Sequence, residues 1–207
     1  GGRGLTHASD LDLILLFTGD HLSESDGRRP LGATSYFNRL AQRVIAALSV
    51  ATAEGPLYEV DTRLRPQGNQ GPLCASVDAF ARYQREDAWT WEHLALTRAR
   101  MVFGSSDGQA TLEAIIAGVL DQPRDASVLL ADAAKMLDDI HRHKPANGPL
   151  DVKLAAGGLI DAEMAIHVTQ LTHRNGFSPD LLAALAQLQQ AGLAPAGIDQ
   201  AIAPQTR

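Results

Sequence analysis

Two aspartates separated by one residue are the first feature of this sequence that could do chemistry. Asp10 and Asp12 stand near the start of residues 9–17, which alternate briefly and are then continuously apolar, a pattern typical of a buried strand whose leading end reaches solvent. Side chains two residues apart on a strand leave the same face. The two carboxylates would repel each other unless both are hydrated, which is the simpler interpretation, or share a divalent cation such as Mg²⁺.

A third aspartate falls in a second candidate strand. Residues 57–64 alternate apolar or Tyr and Thr side chains with charged ones, the period of a half-buried strand. One face of this strand would carry four charges in a row: Glu59, Asp61, Arg63 and Arg65. A cross-strand ladder of salt bridges would explain them. The alternative is that Asp61 completes a three-carboxylate metal site while Arg63 and Arg65 bind phosphate oxygens, which suit the planar guanidinium group.

A glycine pair precedes these acidic residues. Gly1 and Gly2 permit a positive φ and a close backbone approach, as turns that cradle phosphate require, although such pairs are also common in ordinary turns. The chain starts at this pair, without an initiator methionine, and almost directly enters a strand-like run. We therefore expect it to be part of a longer protein.

Composition narrows the class of protein. With 207 residues, 45% hydrophobic and 20% charged, the chain can bury the core of one large or two small domains. A net charge of −6 disfavours general nucleic-acid binding. The single cysteine, Cys74, cannot form an internal disulfide, which favours a reducing compartment. The longest apolar run, residues 13–17, is far shorter than the ~20 residues of a membrane span, so we expect a cytoplasmic protein that does not bind membranes.

The periodicity of the chain predicts an α+β fold, with strands before about residue 66 and a mainly helical C-terminal region. Residues 18–31 and 67–72 have loop composition, and residues 150–154 alternate as a short strand would. Helices are predicted over residues 34–53 (capped by Thr34 or Ser35), 77–86, 90–103, 108–120, 125–143, 159–173 and 179–190 (capped by Ser178). We divide the chain into a first region, residues 1–120, and a helical region, residues 121–207, with a linker at 145–149.

The acidic residues and the glycine pair together resemble the nucleotidyltransferase superfamily. Its pattern is a Gly-Gly or Gly-Ser turn, a paired acidic strand, matched here by residues 9–13, and a third acidic residue on the next long strand, matched by Asp61. Within the superfamily, residues 58–66 (YEVDTRLRP), followed by Gly68, Gly71 and Leu73, resemble the glutamine synthetase adenylyltransferase family. Bacterial members of this family carry two such domains, one attaching AMP to a tyrosine of glutamine synthetase and one removing it by phosphorolysis.

Two further stretches extend the resemblance to about residue 170. Residues 88–93 (AWTWEH) resemble the AMP-attaching half, since the removing half tends to carry Arg where His93 stands. Asp151, Val152 and Lys153, the pair Gly157 and Gly158, and then Asp161 and Glu163 resemble a strand, turn and helix that follow the family's catalytic core. The chain departs from the family at Ala162 and Met164, and lacks the strand and helices that normally precede the glycine pair. We therefore expect this piece to bind nucleotide poorly on its own.

The resemblance implies a mixed β-sheet with flanking helices and a nucleotidyltransferase catalytic core in residues 1–120. It also implies a function and a set of site residues. Asp10, Asp12 and Asp61 would be catalytic and would bind Mg²⁺, with Asp61 also best placed to act as a base. Gly1, Gly2, Ser9, Arg63 and Arg65 would bind the nucleotide. The implied reaction is AMP transfer from ATP to glutamine synthetase, with the nitrogen-regulatory PII protein as a further partner. The alternatives are removal of AMP, a non-catalytic nucleotide-binding or regulatory module, and a different nucleotidyltransferase.

Overall fold

The strands form three short two-stranded ladders. The computed structural model describes residues 9–148 and 150–196. In that part of the chain the strands are β1 (Leu11–Asp12), β2 (Leu15–Phe17), β3 (Ala51–Thr52), β4 (Gly55–Pro56), β5 (Val60–Asp61) and β6 (Cys74–Ser76). β1 pairs with β5 and β2 with β6, both in parallel, whereas β3 and β4 form an antiparallel hairpin. Because parallel and antiparallel pairs accompany the helices, the predicted α+β class is confirmed.

Helices make up most of the rest. They are α1 (Ala33–Ser49), α2 (Val77–Glu86), α3 (Thr90–Leu96), α4 (Ser106–Leu120), α5 (Ala126–His143), α6 (Leu159–His173) and α7 (Leu181–Gln190), with a 3₁₀ turn at Gly68–Gln70. Among the described residues, no helix combines the length and the apolar character needed to span a bilayer. The predictions for residues 77–86 and 159–173 are confirmed to the residue.

Side-chain caps explain where several helices begin. The hydroxyl of Ser76 accepts a hydrogen bond from the Ala79 backbone N–H at the start of α2, and Asp125 accepts from two backbone N–H groups of α5. At α7 the cap is Asp180, whose carboxylate accepts from the Ala183 N–H at 2.8 Å. The predicted cap at Ser178 is therefore wrong, because the chain turns into the helix two residues later.

Several predicted element boundaries are wrong for local reasons. The predicted strand over residues 9–17 is broken between β1 and β2, which pair with different partners. Helix α1 ends at Ser49 because the next residues form the β3–β4 hairpin, and it starts at Ala33 without a side-chain cap. Helix α3 ends at Leu96, where the Thr97 hydroxyl donates to the Leu94 carbonyl.

The described residues up to Ala88 form one compact unit, here called the strand unit. Its core is built around Phe17, Ala33, Ala41 and Cys74, with partly buried Phe37 against them. The rings of Phe17 and Phe37 stack with centroids 4.6 Å apart. This core fixes α1 against the β2–β6 ladder. The β1–β5 ladder belongs to the same unit.

The described residues from Trp89 onward form a second compact unit, the helical unit. Helices α3, α5 and α6 pack on one another, and α7 packs on α6 through Ile166, Ala184, Leu185 and Leu188. No strand forms at residues 150–154, so that prediction is wrong: Asp151 accepts hydrogen bonds from following backbone N–H groups and winds a turn. The division at residue 120 and the linker at 145–149 stay predictions.

Candidate active site

The pairing of β1 with β5 brings two of the three predicted carboxylates side by side. Asp12 is the register partner of Asp61, and Leu11 of Val60. Backbone bonds on both sides of the pair hold this register, from Leu11 N to Glu59 O and from Leu13 N to Asp61 O, each 2.8 Å. Neighbouring strands lie about 4.8 Å apart and register partners face the same side. The ladder therefore aligns Asp12 and Asp61 on one face.

Asp61 is held by a residue of its own turn. One carboxylate oxygen, Oδ1, accepts from the backbone N–H of Arg63 at 2.8 Å, and the other, Oδ2, accepts from the Arg63 Nε at 2.7 Å. A second guanidinium nitrogen completes the ion pair. The bond to the backbone N–H is an Asx turn, which ends β5 at Asp61. The prediction that Arg63 and Arg65 continue the charged face of one strand is therefore wrong.

The pairing changes the acidity of both groups. Hydrogen bonds from Arg63, acting against partial burial, lower the pKa of Asp61 below its ordinary value. The pKa of Arg63 is raised, first by Asp61 and to a smaller extent by Asp12 and Asp10. Arg63 thus lies in the field of all three carboxylates. Asp61 stays ionised at neutral pH and is a weak proton acceptor while the pair is intact.

Arg65 has a different environment from Arg63. It is buried, and its guanidinium donates to the backbone carbonyl and the hydroxyl of Thr62, both at 2.8 Å, and to the Gly71 carbonyl at 3.5 Å. The loop is tight here, because a Cβ on Gly71 would lie 2.0 Å from the Pro66 carbonyl oxygen. Arg65 therefore holds together the loop that follows β5.

A polar groove of about 360 Å³ opens beside this ladder. Its lining residues are Asp10, Glu59, Val60, Asp61, Thr62, Arg63 and Asn69. Three carboxylates against one guanidinium make the groove negative, so an anionic ligand needs accompanying cations to enter it. The size is within the range of small-ligand sites.

The donor set is chemically suited to Mg²⁺. Carboxylate oxygens are the hard ligands that this ion prefers, and Asp12 and Asp61 are aligned by register. Within the described ranges, however, no group of three or more His, Cys, Asp or Glu side chains is gathered closely enough to hold a metal ion. Asp61 is turned to Arg63 instead. A cation bound by all three aspartates requires Asp61 to leave that guanidinium.

Comparison with known proteins identifies the family. The family model described as glutamate-ammonia ligase adenylyltransferase matches residues 1–115, more than half of the chain. The chain belongs to this family. The adenylyltransferase family match includes every residue of the β1–β5 ladder and of the groove.

Curated relatives of this adenylyltransferase family match further along the chain. A protein of Mesorhizobium japonicum is 50% identical over 180 residues, 86% of this chain. A protein of Brucella suis is 52% identical over 164 residues, 79% of this chain. A protein of Rhodopseudomonas palustris strain BisB5 is 45% identical over 183 residues, 88% of this chain. Each is named bifunctional glutamine synthetase adenylyltransferase/adenylyl-removing enzyme. The chain spans 17–18% of the length of these relatives.

The structure places most of the site residues predicted for the adenylyltransferase family. Asp10, Asp61 and Arg63 line the groove, and Asp12 stands beside Asp61 in the ladder. Ser9 directly precedes Asp10 and is partly buried, whereas Gly1 and Gly2 lie outside the described residues. The chemical roles assigned to these residues stay predictions.

Sequence reasoning assigned no site role to four of the groove residues: Glu59, Val60, Thr62 and Asn69. Thr62 and Asn69 line the groove, and Thr62 also accepts from Arg65. Alternation assigned Thr62 to the uncharged strand face, although the strand ends one residue earlier. Asn69 lies in the 3₁₀ turn and had no local signal, since only the fold of the loop brings it to the groove.

Proposed function

We propose that this chain carries a catalytic core that transfers AMP from ATP to a tyrosine of glutamine synthetase. One observation carries the proposal: Asp12 is the register partner of Asp61, and Asp61 lines a groove together with Asp10, in a chain of the adenylyltransferase family. The printed names of the relatives, which include adenylyltransferase and adenylyl-removing activities on glutamine synthetase, support the same substrate.

Asp10, Asp12 and Asp61 are the residues that would hold Mg²⁺. Bound there, the ion supplies neutralisation of the triphosphate charge and a lowered pKa for the attacking tyrosine hydroxyl. The ladder keeps the backbones of Asp12 and Asp61 in register. The protein side chains form no covalent bond with the substrate in this reaction. The rate enhancement therefore comes from positioning the substrates and from neutralising the phosphate charge.

Arg63 is the guanidinium available to the phosphates. Its side chain is 71% exposed, whereas that of Arg65 is committed to the loop carbonyls. When Arg63 moves from Asp61 to a phosphate oxygen, it exchanges one anionic partner for another. Asp61 becomes free to act as a ligand in the same step. Its lowered pKa suits a permanently ionised ligand better than a base.

The substitution Asp12→Asn tests the proposal. The amide keeps the size of the side chain and removes one charge, so we expect Mg²⁺-dependent ATP binding by this chain, measured by titration calorimetry, to be lost. Asp20→Asn, in an exposed loop, is the matched control and should bind like the wild type. Transfer of labelled AMP to glutamine synthetase is measured in parallel, also with the matching substitution in the Mesorhizobium japonicum relative. Undiminished binding and transfer by Asp12→Asn would overturn the proposal.

The direction of the reaction is tested with the same variants. Residues 88–93 favour AMP attachment, and the bifunctional names of the relatives keep phosphorolytic removal as the second candidate. Incubation with adenylylated glutamine synthetase and phosphate should release no ADP if attachment is the activity of this chain.

Binding of the PII protein and a cytoplasmic location, which the free thiol of Cys74 favours, belong to the same proposal. ATP binding without turnover in either direction would favour the non-catalytic module.

A further inference from the structure

A second groove, of about 390 Å³, lies in the helical unit between the end of α5 and the loop that leads into α6. Its apolar lining residues are Ile140, Leu154 and Ile160, and its polar ones are Asp139, His143, Lys144 and Lys153. We call it the lysine groove. Two of the three lysines in the whole sequence line it; the third, Lys135, lies two turns or more earlier on α5.

The loop of the lysine groove is built by Asp151 and Gly158. The Asp151 carboxylate accepts from the backbone N–H groups of Asn147, Lys153 and Leu154 at 3.0–3.1 Å. A Cβ on Gly158 would lie 2.7 Å from the Ala155 carbonyl oxygen, so only glycine lets the loop pass this close to the start of α6. The stretch from Asp151 to Gly158, noted in the sequence, thus shapes this groove.

The two lysines of the groove have no carboxylate of their own. None of the ion pairs formed among residues 9–148 and 150–196 includes Lys144 or Lys153. The one acidic lining residue, Asp139, is paired with Arg142 at 3.0 Å. Asp151 uses both of its oxygens on backbone N–H groups. Arg142 is shared with Asp138, and Lys153 lies in the electrostatic field of Asp151. The groove therefore combines an apolar lining with two ammonium groups that no salt bridge among the described residues holds in place.

The helix end at the groove does not supply the anion site. The first N–H groups of α6 are already used, because Leu159 N donates to the Val152 carbonyl at 2.9 Å and Ile160 N to the Lys153 carbonyl at 3.2 Å. Recognition of an anion would fall to the two ammonium groups. The volume of the groove is in the range of small-molecule sites.

We propose that the lysine groove binds a small organic anion with an apolar body. The body packs on Ile140, Leu154 and Ile160, and a carboxylate or a similar anionic group meets the ammonium groups of Lys144 and Lys153. The charge and the apolar lining are complementary to the two ends of such a ligand. This site lies in the helical unit and is independent of the carboxylate ladder.

Lysine chemistry gives a direct test. Reductive ¹³C-methylation labels the three lysines and retains their charge, so each gives its own NMR signal. Decanoate, kept below its critical micelle concentration, is the probe. We expect the signals of Lys144 and Lys153 to shift in a saturable manner while that of Lys135 stays in place. Acetate, which lacks the apolar body, and decyltrimethylammonium, which reverses the charge, should not reproduce these shifts at the same concentration.

Variants separate this site from general surface binding. Lys144→Gln with Lys153→Gln should weaken decanoate binding at least about tenfold, while Lys135→Gln, the matched control on α5, should leave it unchanged. Circular dichroism verifies that each variant is folded. Equal shifts of all three lysines, the same shifts with decyltrimethylammonium, or unchanged affinity in the double variant would each overturn the proposal.

Discussion

Arg63 folds back onto Asp61, two residues before it, and engages both carboxylate oxygens through its backbone and its side chain. Because Asp12 and Asp10 also raise the pKa of Arg63, its guanidinium compensates the charge of the whole acidic ladder. Any cation that binds the three aspartates competes with Arg63. A phosphate that takes the Nε and the terminal nitrogen of Arg63 now on Asp61 frees the Oδ2 of Asp61. The residue pair thus couples the two binding events.

Removal of this guanidinium should strengthen cation binding. In Arg63→Gln we expect Mn²⁺, used as a probe for Mg²⁺ and measured by EPR without nucleotide, to bind about three- to fivefold more tightly. The gain is small because an ion pair this exposed is worth at most about 1 kcal/mol. Arg28→Gln, in an exposed loop, is the control. Unchanged or weaker Mn²⁺ binding in Arg63→Gln contradicts the competition between Arg63 and the cation.

Arg65 should contribute to stability rather than to phosphate binding. Arg65→Ala removes the guanidinium that donates to the Thr62 hydroxyl and to the carbonyls of Thr62 and Gly71 in a partly buried loop, while the Thr62 carbonyl keeps the Arg65 backbone N–H. We expect the free energy of unfolding to fall by about 2–3 kcal/mol. Urea denaturation followed by circular dichroism measures it. Arg82→Ala, an exposed position on α2, should change stability by less than about 0.5 kcal/mol. A similarly small change for Arg65→Ala would contradict the role in the loop.

Cys74 should be inert in the folded protein. Burial raises the pKa of its thiol to about 11, so at neutral pH the thiolate, the reactive form, is roughly two orders of magnitude scarcer than in an exposed cysteine. We expect iodoacetamide to label Cys74 only after urea is added. A thiol introduced by Ser23→Cys, at an exposed position, should react at once in the folded chain. Rapid labelling of native Cys74 would show that the β2–β6 core opens readily.

His167 is held as one neutral tautomer in the helical unit. Its Nδ1 lies 2.9 Å from both the Thr97 hydroxyl and the Gln170 Oε1. The Thr97 hydroxyl already donates to the Leu94 carbonyl, so both neighbours accept and Nδ1 carries the proton. The other ring nitrogen, Nε2, is buried without a hydrogen-bond partner among the described residues. Burial, with a smaller contribution from Arg98, lowers the pKa of His167, although Gln170 and Glu163 act against it.

The lowered pKa of His167 predicts the sign of a pH dependence. Below about pH 6.5 the His167 side chain is protonated in the unfolded chain but stays neutral in the folded protein. The free energy of unfolding therefore falls as the pH falls toward the folded-state pKa. His167→Gln should flatten this slope in urea titrations between pH 7 and pH 5, while the exposed control His143→Gln should retain it. Equal slopes in both variants would contradict the assignment.

Local patterns predicted the elements whose determinants are local. Helix α2 begins at its Ser76 cap, and the predicted range of α6 is confirmed over its full length. Helical hydrogen bonds join residues four apart, and caps reach two or three residues further, so a short window of sequence contains the needed information. The Asp-Leu-Asp pattern and the third aspartate also indicated which residues could bind a metal ion.

Only the tertiary structure decided how those residues meet. The register of Asp12 with Asp61 joins positions 49 residues apart through the β1–β5 pairing. Arg63 and Arg65 are the same residue type and were predicted on the same strand face. The guanidinium of Arg63 nevertheless pairs with Asp61, whereas that of Arg65 is buried among loop carbonyls. The Asx turn at Asp61 replaces the last three residues of the expected strand, 62–64, with a turn. Strand pairing and loop closure depend on partners distant in the chain, which periodicity within a single strand does not contain.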